Sequence, residues 1–268
     1  MADLPPVSVM MRDAGLSPKK SMGQNFLFDL NLTRKIARAV PDIENTTVLE
    51  VGPGPGGLTR ALFECGARRV IAIEKDRSTA PILERIAGAS GGRLQVIFGD
   101  ALKLWRTAIG GAGHFAICAN LPYNVGTELL IQWLRAPNIE SMTLMFQREV
   151  AERLVAKAGG GQYGRLSVLT ALTARAKILF DVPNTAFVPP PKVRSSVVQI
   201  VPHAPPKNLD EIERLTAALF GQRRKMIRAI IPGADWGAFG LSGAERAEQL
   251  PPEKFDEIAN GGIMPKRG

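Results

Sequence analysis

The sequence predicts a doubly wound α/β domain followed by a small α-helical domain, and three observations predict it. From Thr47 onward, continuous Val/Ile/Leu runs alternate with helix-like stretches, the pattern of a parallel sheet covered on both faces. A glycine-rich turn, "EVGPGPGGLT", joins the first of these runs to the first of the helices. After the proline-rich "PHAPPKN" at 202–208, strand signals stop and only helical patterns remain.

The strands are "TVLEVG", "RVIAIE", "LQVIFGDA", "HFAICANLP" and "SMTLMFQ", with "GGLTRALFECG", "STAPILERIAG" and "GTELLIQWLR" as helices among them. In such a sheet the ligand site lies beyond the carboxyl ends of the strands. "REVAERLVAK" and "GRLSVLTALTARA" are predicted helical. "KILFDV" and "SSVVQIVP", joined by "PNTAFVPPPKVR", are predicted to close the sheet with an antiparallel strand. The last part reads as helices in "LDEIERLTAALFGQRRKMIRAIIPG", "SGAERAEQL" and "PPEKFDEIANGG". Domain boundaries follow at 1–203, with an N-terminal arm over 1–40, and at 204–268.

The 268 residues carry a net charge of +9, which points to a polyanionic partner such as nucleic acid. Residues 207–268 hold ten Lys/Arg and nine Asp/Glu, so most of the excess lies in the large domain, although Arg223, Arg224, Lys225 and Arg228 form a local basic cluster. No apolar run approaches the ~20 residues of a membrane helix. The N-terminus, with Asp3 and Asp13, has neither the basic start nor the apolar core of a targeting segment. Cys65 and Cys118 are isolated and read as reduced thiols, in keeping with a cytoplasmic protein. His114 and His203 have no triad-like or metal-like neighbours and read as structural or solvated; no metal site is expected.

Gly52, Gly54 and Gly57 satisfy the GxGxxG spacing, and Glu74 ends the next strand where a ribose-binding acid belongs, so a dinucleotide is one reading. A pyrophosphate, however, is held by backbone N–H groups, and Pro53 and Pro55 have none to give. S-adenosylmethionine has no phosphates and needs no such donors. On that reading Glu74 accepts from the ribose hydroxyls, and Asp100 in "FGDA" sits by the adenine amino group.

"ANLPYN" at the end of the fourth strand then acquires a chemical meaning. The exocyclic amine of adenine is a poor nucleophile, because its lone pair is delocalised into the ring. A site that methylates it must offer acceptors to its N–H groups. Asn120 Oδ1 is one such acceptor and the carbonyl of Leu121 a second. Pro122 restricts the backbone around that carbonyl, and Tyr123 offers a face on which an extruded base stacks.

These residues, with "GQNFL", "GDAL", "QREVAERL", "YGRLSVL", "FVPPPKVRSSVV" and "QRRKMIR", make the chain resemble the ribosomal RNA adenine N6-dimethyltransferase family, over nearly its whole length. The resemblance implies a Rossmann-like class I methyltransferase sheet, S-adenosylmethionine as cofactor, and dimethylation of two adjacent adenosines near the 3′ end of 16S rRNA. The partner implied is the small ribosomal subunit or its precursor, engaged by a monomer. The resemblance also implies cofactor contacts from Asn25, Leu27, Gly52, Glu74, Asp100, Ala101 and Asn120. Asn120, Leu121, Pro122 and Tyr123 match the target-amine motif, and Phe187 matches an aromatic that sandwiches the base opposite Tyr123. The alternatives left open are a 23S rRNA adenine methyltransferase and a non-catalytic assembly factor.

Overall fold

The computed structural model describes residues 1, 4–18, 24–111, 113–122 and 125–264. Tyr123, like Lys19 and Lys20, lies outside the described residues. The chain divides into two compact units, Met1–Arg148 with Ile178–Val201, and Glu149–Lys177 with Pro202–Gly268.

The first unit holds the sheet. Its parallel strands are β2 (Thr47–Val51), β3 (Arg69–Glu74), β4 (Leu94–Phe98), β5 (Phe115–Asn120) and β6 (Ile139–Gln147). With β7 (Ala174–Val182) and β9 (Ser195–Pro202) they form one sheet of order β4-β3-β2-β5-β6-β9-β7. The chain moves outward from β2 to β3 and β4, then returns to the other side of β2 for β5. That reversal opens a crevice between the carboxyl ends of β2 and β5. The expected antiparallel strand is β9, which pairs with β6 from Met142↔Ile200 to Gln147↔Ser195. A second, two-stranded sheet pairs β1 (Phe26–Leu27) with β8 (Phe187–Val188), placing Leu27 opposite Phe187.

Helices α2 (Leu30–Ala37), α3 (Gly57–Glu64), α4 (Ala80–Ala89), α5 (Ala101–Ala108) and α6 (Gly126–Leu134) connect the strands. The N-terminal arm contributes α1 (Val7–Asp13), whose Val7, Met10 and Met11 join the same apolar core as Val48, Leu62 and Val70. The buried guanidinium of Arg60 fixes the arm by donating to the carbonyls of Pro5 at 2.5 Å, Leu4 at 3.3 Å and Met1 at 3.4 Å.

The second unit has its own apolar core. Tyr163, Val168 and Leu169 pack with Leu209, Leu215, Trp236 and Phe255. These residues come from α8 (Arg165–Thr173), α9 (Leu209–Gly221), α11 (Pro252–Asn260) and the segments before and between them; α7 (Arg148–Val155) precedes α8 in the chain. The Tyr163 hydroxyl donates to the Leu250 carbonyl at 2.9 Å, and Phe220 stacks on Phe255. The unit boundary after Val201 lies within two residues of the one read from the sequence at 203/204, and Glu149–Lys177 cluster with the C-terminal helices, whose core takes in Tyr163, Val168 and Leu169.

Three helix predictions also change. The helix expected through Ala176 stops at Thr173, whose hydroxyl donates back to the Leu169 carbonyl at 2.7 Å, and Ala174 is already extended. The helical stretch expected over 209–233 breaks after Gly221 and resumes as α10 (Ile227–Ile230), which exposes Arg224, Lys225 and Arg228 on and beside the intervening turn. "SGAERAEQL" forms only a short 3-10 turn at Ala247–Gln249.

Candidate active site

A cavity of about 310 Å³ opens at the carboxyl ends of β2, β3, β4 and β5. Its lining includes Asn25, Leu27, Gly52, Glu74, Asp100, Ala101, Asn120, Leu121 and Pro122, so one site gathers every described residue expected to meet cofactor or target amine except Phe187.

The glycine turn has a specific hydrogen-bond economy. Gly52 N–H donates to the Ile73 carbonyl at 2.9 Å, and Gly54 N–H to Glu74 Oε2 at 2.9 Å. Gly56 N–H donates to the Pro53 carbonyl at 2.9 Å. Since Pro53 and Pro55 have no N–H, every backbone donor of residues 52–56 is committed inside the protein. Gly54 holds φ +55°, and a Cβ there would lie 2.8 Å from Phe26 Cε1. Only glycine lets the turn and the ring meet so closely.

The carboxyls around the cavity are held by different means. Glu74 is 6% exposed and accepts from Gly54 N–H through Oε2 and from Asp76 N–H through Oε1, at 2.9 and 2.7 Å. Each oxygen keeps a further lone pair for a ligand. Burial raises its pKa, against the opposing pull of these backbone donors. Asp100 caps α5 by accepting from Leu102 N–H at 3.0 Å, while its other oxygen meets the Lys75 ammonium at 3.4 Å.

Glu50, in the middle of the apolar run of β2, also lines the cavity, and the sequence reading gave it no role. It is 1% exposed and accepts from the Thr59 hydroxyl at 2.6 Å. Burial pushes its pKa up from 4.5 to about 8, so the acid is mainly neutral at pH 7 unless a cation sits beside it.

Asn120 ends β5. Its Nδ2 donates to the carbonyl of Asn25 at 3.2 Å. A carbonyl can only accept, so this bond fixes which way the amide faces and leaves Oδ1 as the acceptor turned away from Asn25. The Pro122 carbonyl accepts from Val125 N–H at 3.2 Å and Gly126 N–H at 3.1 Å at the start of α6. It is thereby committed to the helix.

Phe187 does not line the cavity; it is 2% exposed and sits in the core of the first unit, opposite Leu27 on the β1–β8 ladder. Among the described residues no group of His, Cys, Asp and Glu side chains could hold a metal ion. No helix among them is long and apolar enough to cross a membrane.

Comparison with known proteins agrees with this geometry. The ribosomal RNA adenine dimethylase family matches residues 15–261. A curated relative named ribosomal RNA small subunit methyltransferase A, from Chelativorans sp. (strain BNC1), is 53% identical over 97% of this chain and 98% of its own. A protein of the same name from Azorhizobium caulinodans is 53% identical over 96% of this chain and 93% of its own. Among solved structures, a dimethyladenosine transferase from Plasmodium falciparum superposes with a TM-score of 0.73 at 25% identity, covering 89% of this chain and 99% of that one. The 23S rRNA methyltransferase ErmE gives 0.67 at 27% identity, over 88% and 98% of the two chains. With a family match over most of its length and relatives 53% identical over nearly all of it, the chain belongs to the ribosomal RNA adenine dimethylase family.

Proposed function

We propose that the chain dimethylates N6 of two adjacent adenosines near the 3′ end of 16S rRNA, with S-adenosylmethionine as cofactor, in the biogenesis of the small ribosomal subunit. The observation that carries the cofactor is the glycine turn. The backbone donors of residues 52–56 are all committed, and Glu74 and Asp100 line the cavity with Lys75 as the one cation among its described lining residues, so the turn offers a pyrophosphate no donors and the site suits a cationic ligand. Close identity to small-subunit methyltransferases, against 27% to a large-subunit one, supports the 16S target over the 23S alternative.

Bound S-adenosylmethionine supplies an electrophilic methyl group on a sulfonium. Glu74 accepts from the ribose hydroxyls with the lone pairs that Gly54 and Asp76 leave, and Asp100 with Ala101 borders the adenine. Asn25 and Leu27 close the site from the N-terminal arm. Asn120 Oδ1 and the Leu121 carbonyl hold the N–H groups of the target amine, which orients its nitrogen towards the methyl and favours a pyramidal, lone-pair-bearing geometry. An amide suits this task because a carboxylate would ion-pair with the sulfonium. The product ammonium is acidic enough to lose its proton to water, so no general base is assigned. After one transfer the amine keeps a single N–H, and it must rotate before the second. Tyr123 stacks on the extruded base. The exposed Arg224, Lys225 and Arg228 contact phosphates. The protein acts as a cytoplasmic monomer on the small subunit or its precursor.

The test is labelled methyl transfer to small subunits purified from a strain lacking this protein, followed by nucleoside analysis. N6,N6-dimethyladenosine in 16S rRNA is the expected product. Transfer confined to large-subunit RNA would establish the 23S alternative, and binding without transfer an assembly factor.

A further inference from the structure

Residues 24–27 form a strap along the cavity, and two polar ties hold it there. One is the bond from Asn120 Nδ2 to the Asn25 carbonyl. The other joins Gln24 Nε2 to Asp76 Oδ2 at 2.9 Å, across 52 residues of sequence. Asp76 is a fixed anchor. It is 6% exposed, its Oδ1 accepts from the Ser78 N–H at 3.1 Å and hydroxyl at 2.7 Å, and its own N–H donates to Glu74 Oε1. The tie therefore runs from the strap through Asp76 to the carboxyl assigned to the ribose. Between the ties, the Phe26 ring closes on Gly54 and the Leu27 carbonyl on Gly57, where added Cβ atoms would lie only 2.8 and 2.6 Å away.

We propose that Gln24 is a positioning residue, a latch whose hydrogen bond to Asp76 holds the strap across the cavity and sets how fast cofactor and demethylated product leave. The inference rests on the cofactor reading above. The chemistry of the pair suits a latch. A neutral amide donating to a carboxylate makes a charge-assisted bond, stronger than one between neutral groups. Gln24 is only half-buried, so water can replace it when the strap opens. A product that differs from the cofactor by one methyl group must exit between the two transfers on one adenosine, so the opening rate of this strap enters every catalytic cycle.

The experiment measures dissociation of S-adenosylhomocysteine, the demethylated product, from the full-length protein by stopped-flow displacement. Gln24→Ala is expected to accelerate dissociation about tenfold, the size of one hydrogen bond to a charged group, and to raise the KM for cofactor by more than it lowers kcat. Gln24→Glu sets two carboxylates against each other and accelerates it further. Adding Asp76→Asn to Gln24→Glu restores a donor–acceptor pair with the roles exchanged, and the rate should return to within about threefold of wild type. A wild-type rate in Gln24→Ala, or a double variant as fast as Gln24→Glu alone, would overturn the latch while leaving the cofactor assignment in place. Wild-type protein that fails to bind S-adenosylhomocysteine would defeat that assignment, and the latch with it.

Discussion

At the carboxyl ends of β2 to β5, the acidic side chains are tied down one by one: Glu74 by two backbone N–H groups, Asp100 by the first turn of α5, Glu50 by the Thr59 hydroxyl. In the second unit the turn after α9 is built the other way. Arg223 is anchored to Glu248 at 2.5 Å and to the Gly161 carbonyl at 3.1 Å, but Arg224, Lys225 and Arg228 stand exposed around it. The first arrangement places lone pairs to a fraction of an ångström. The second supplies charge, with little demand on where each cation sits. On the proposed function, orientation for chemistry and attraction for a polyanion fall to separate parts of one chain, and substitutions in the two should fail in different ways.

The sharpest break is expected at Asn120. Asn120→Ala removes the amine acceptor and the tie to Asn25 together. Methyl transfer should fall by about 10³-fold, the scale for loss of a preorganised catalytic hydrogen bond, while RNA affinity stays close to wild type. Single-turnover transfer and filter binding on the same preparation read both, and near-normal turnover would refute the amine-holding role.

Phe187 tests whether a residue beside the site belongs to chemistry or to packing. As a core side chain, its loss in Phe187→Ala should cost about 3–5 kcal/mol of stability, seen in denaturant unfolding. Phe187→Leu should recover most of that stability together with activity. Folded, inactive Phe187→Leu protein would return the ring to a stacking role.

Glu50 contributes a pH dependence. Its folded pKa, about 8, lies above its unfolded value near 4.5, so the folded state binds the extra proton between those limits. Stability from this group is full below about pH 4.5 and is lost as pH rises through 8, with a slope approaching ~1.4 kcal/mol per pH unit. Glu50→Gln should flatten the fall of Tm over that window, which a pH series of thermal melts measures; an unchanged fall would contradict the buried neutral acid.

The smallest effects belong to the basic turn. Arg224→Ala, Lys225→Ala and Arg228→Ala should each weaken RNA binding a few-fold and lower the salt slope by about one, with transfer at saturating RNA nearly unaffected. A loss of transfer as steep as that of Asn120→Ala would erase the contrast between the two regions.

The strands from Thr47 to Gln147 could be read in advance because burial on both faces leaves continuous apolar runs, and the cavity-lining side chains Asp100 and Asn120 follow where those runs stop. Glu50 was overlooked because it sits inside such a run; an ionisable residue in the middle of "TVLEV" was the available signal. The Gln24–Asp76 tie joins residues 52 apart, and no local pattern announces a long-range side-chain pair. The burial of Phe187 was no easier to read, since its ladder with β1 is again a non-local contact. The helix ending at Thr173 was overrun because the apolar period continues past the point where the backbone turns extended.

The most direct measurement is a crystal structure with S-adenosylhomocysteine and adenosine bound together. The account predicts the adenine amino group within hydrogen-bonding distance of Asn120 Oδ1 and the Leu121 carbonyl, on the sulfur side of the bound product. An amino group placed elsewhere, with residue 120 turned from it, would contradict the account.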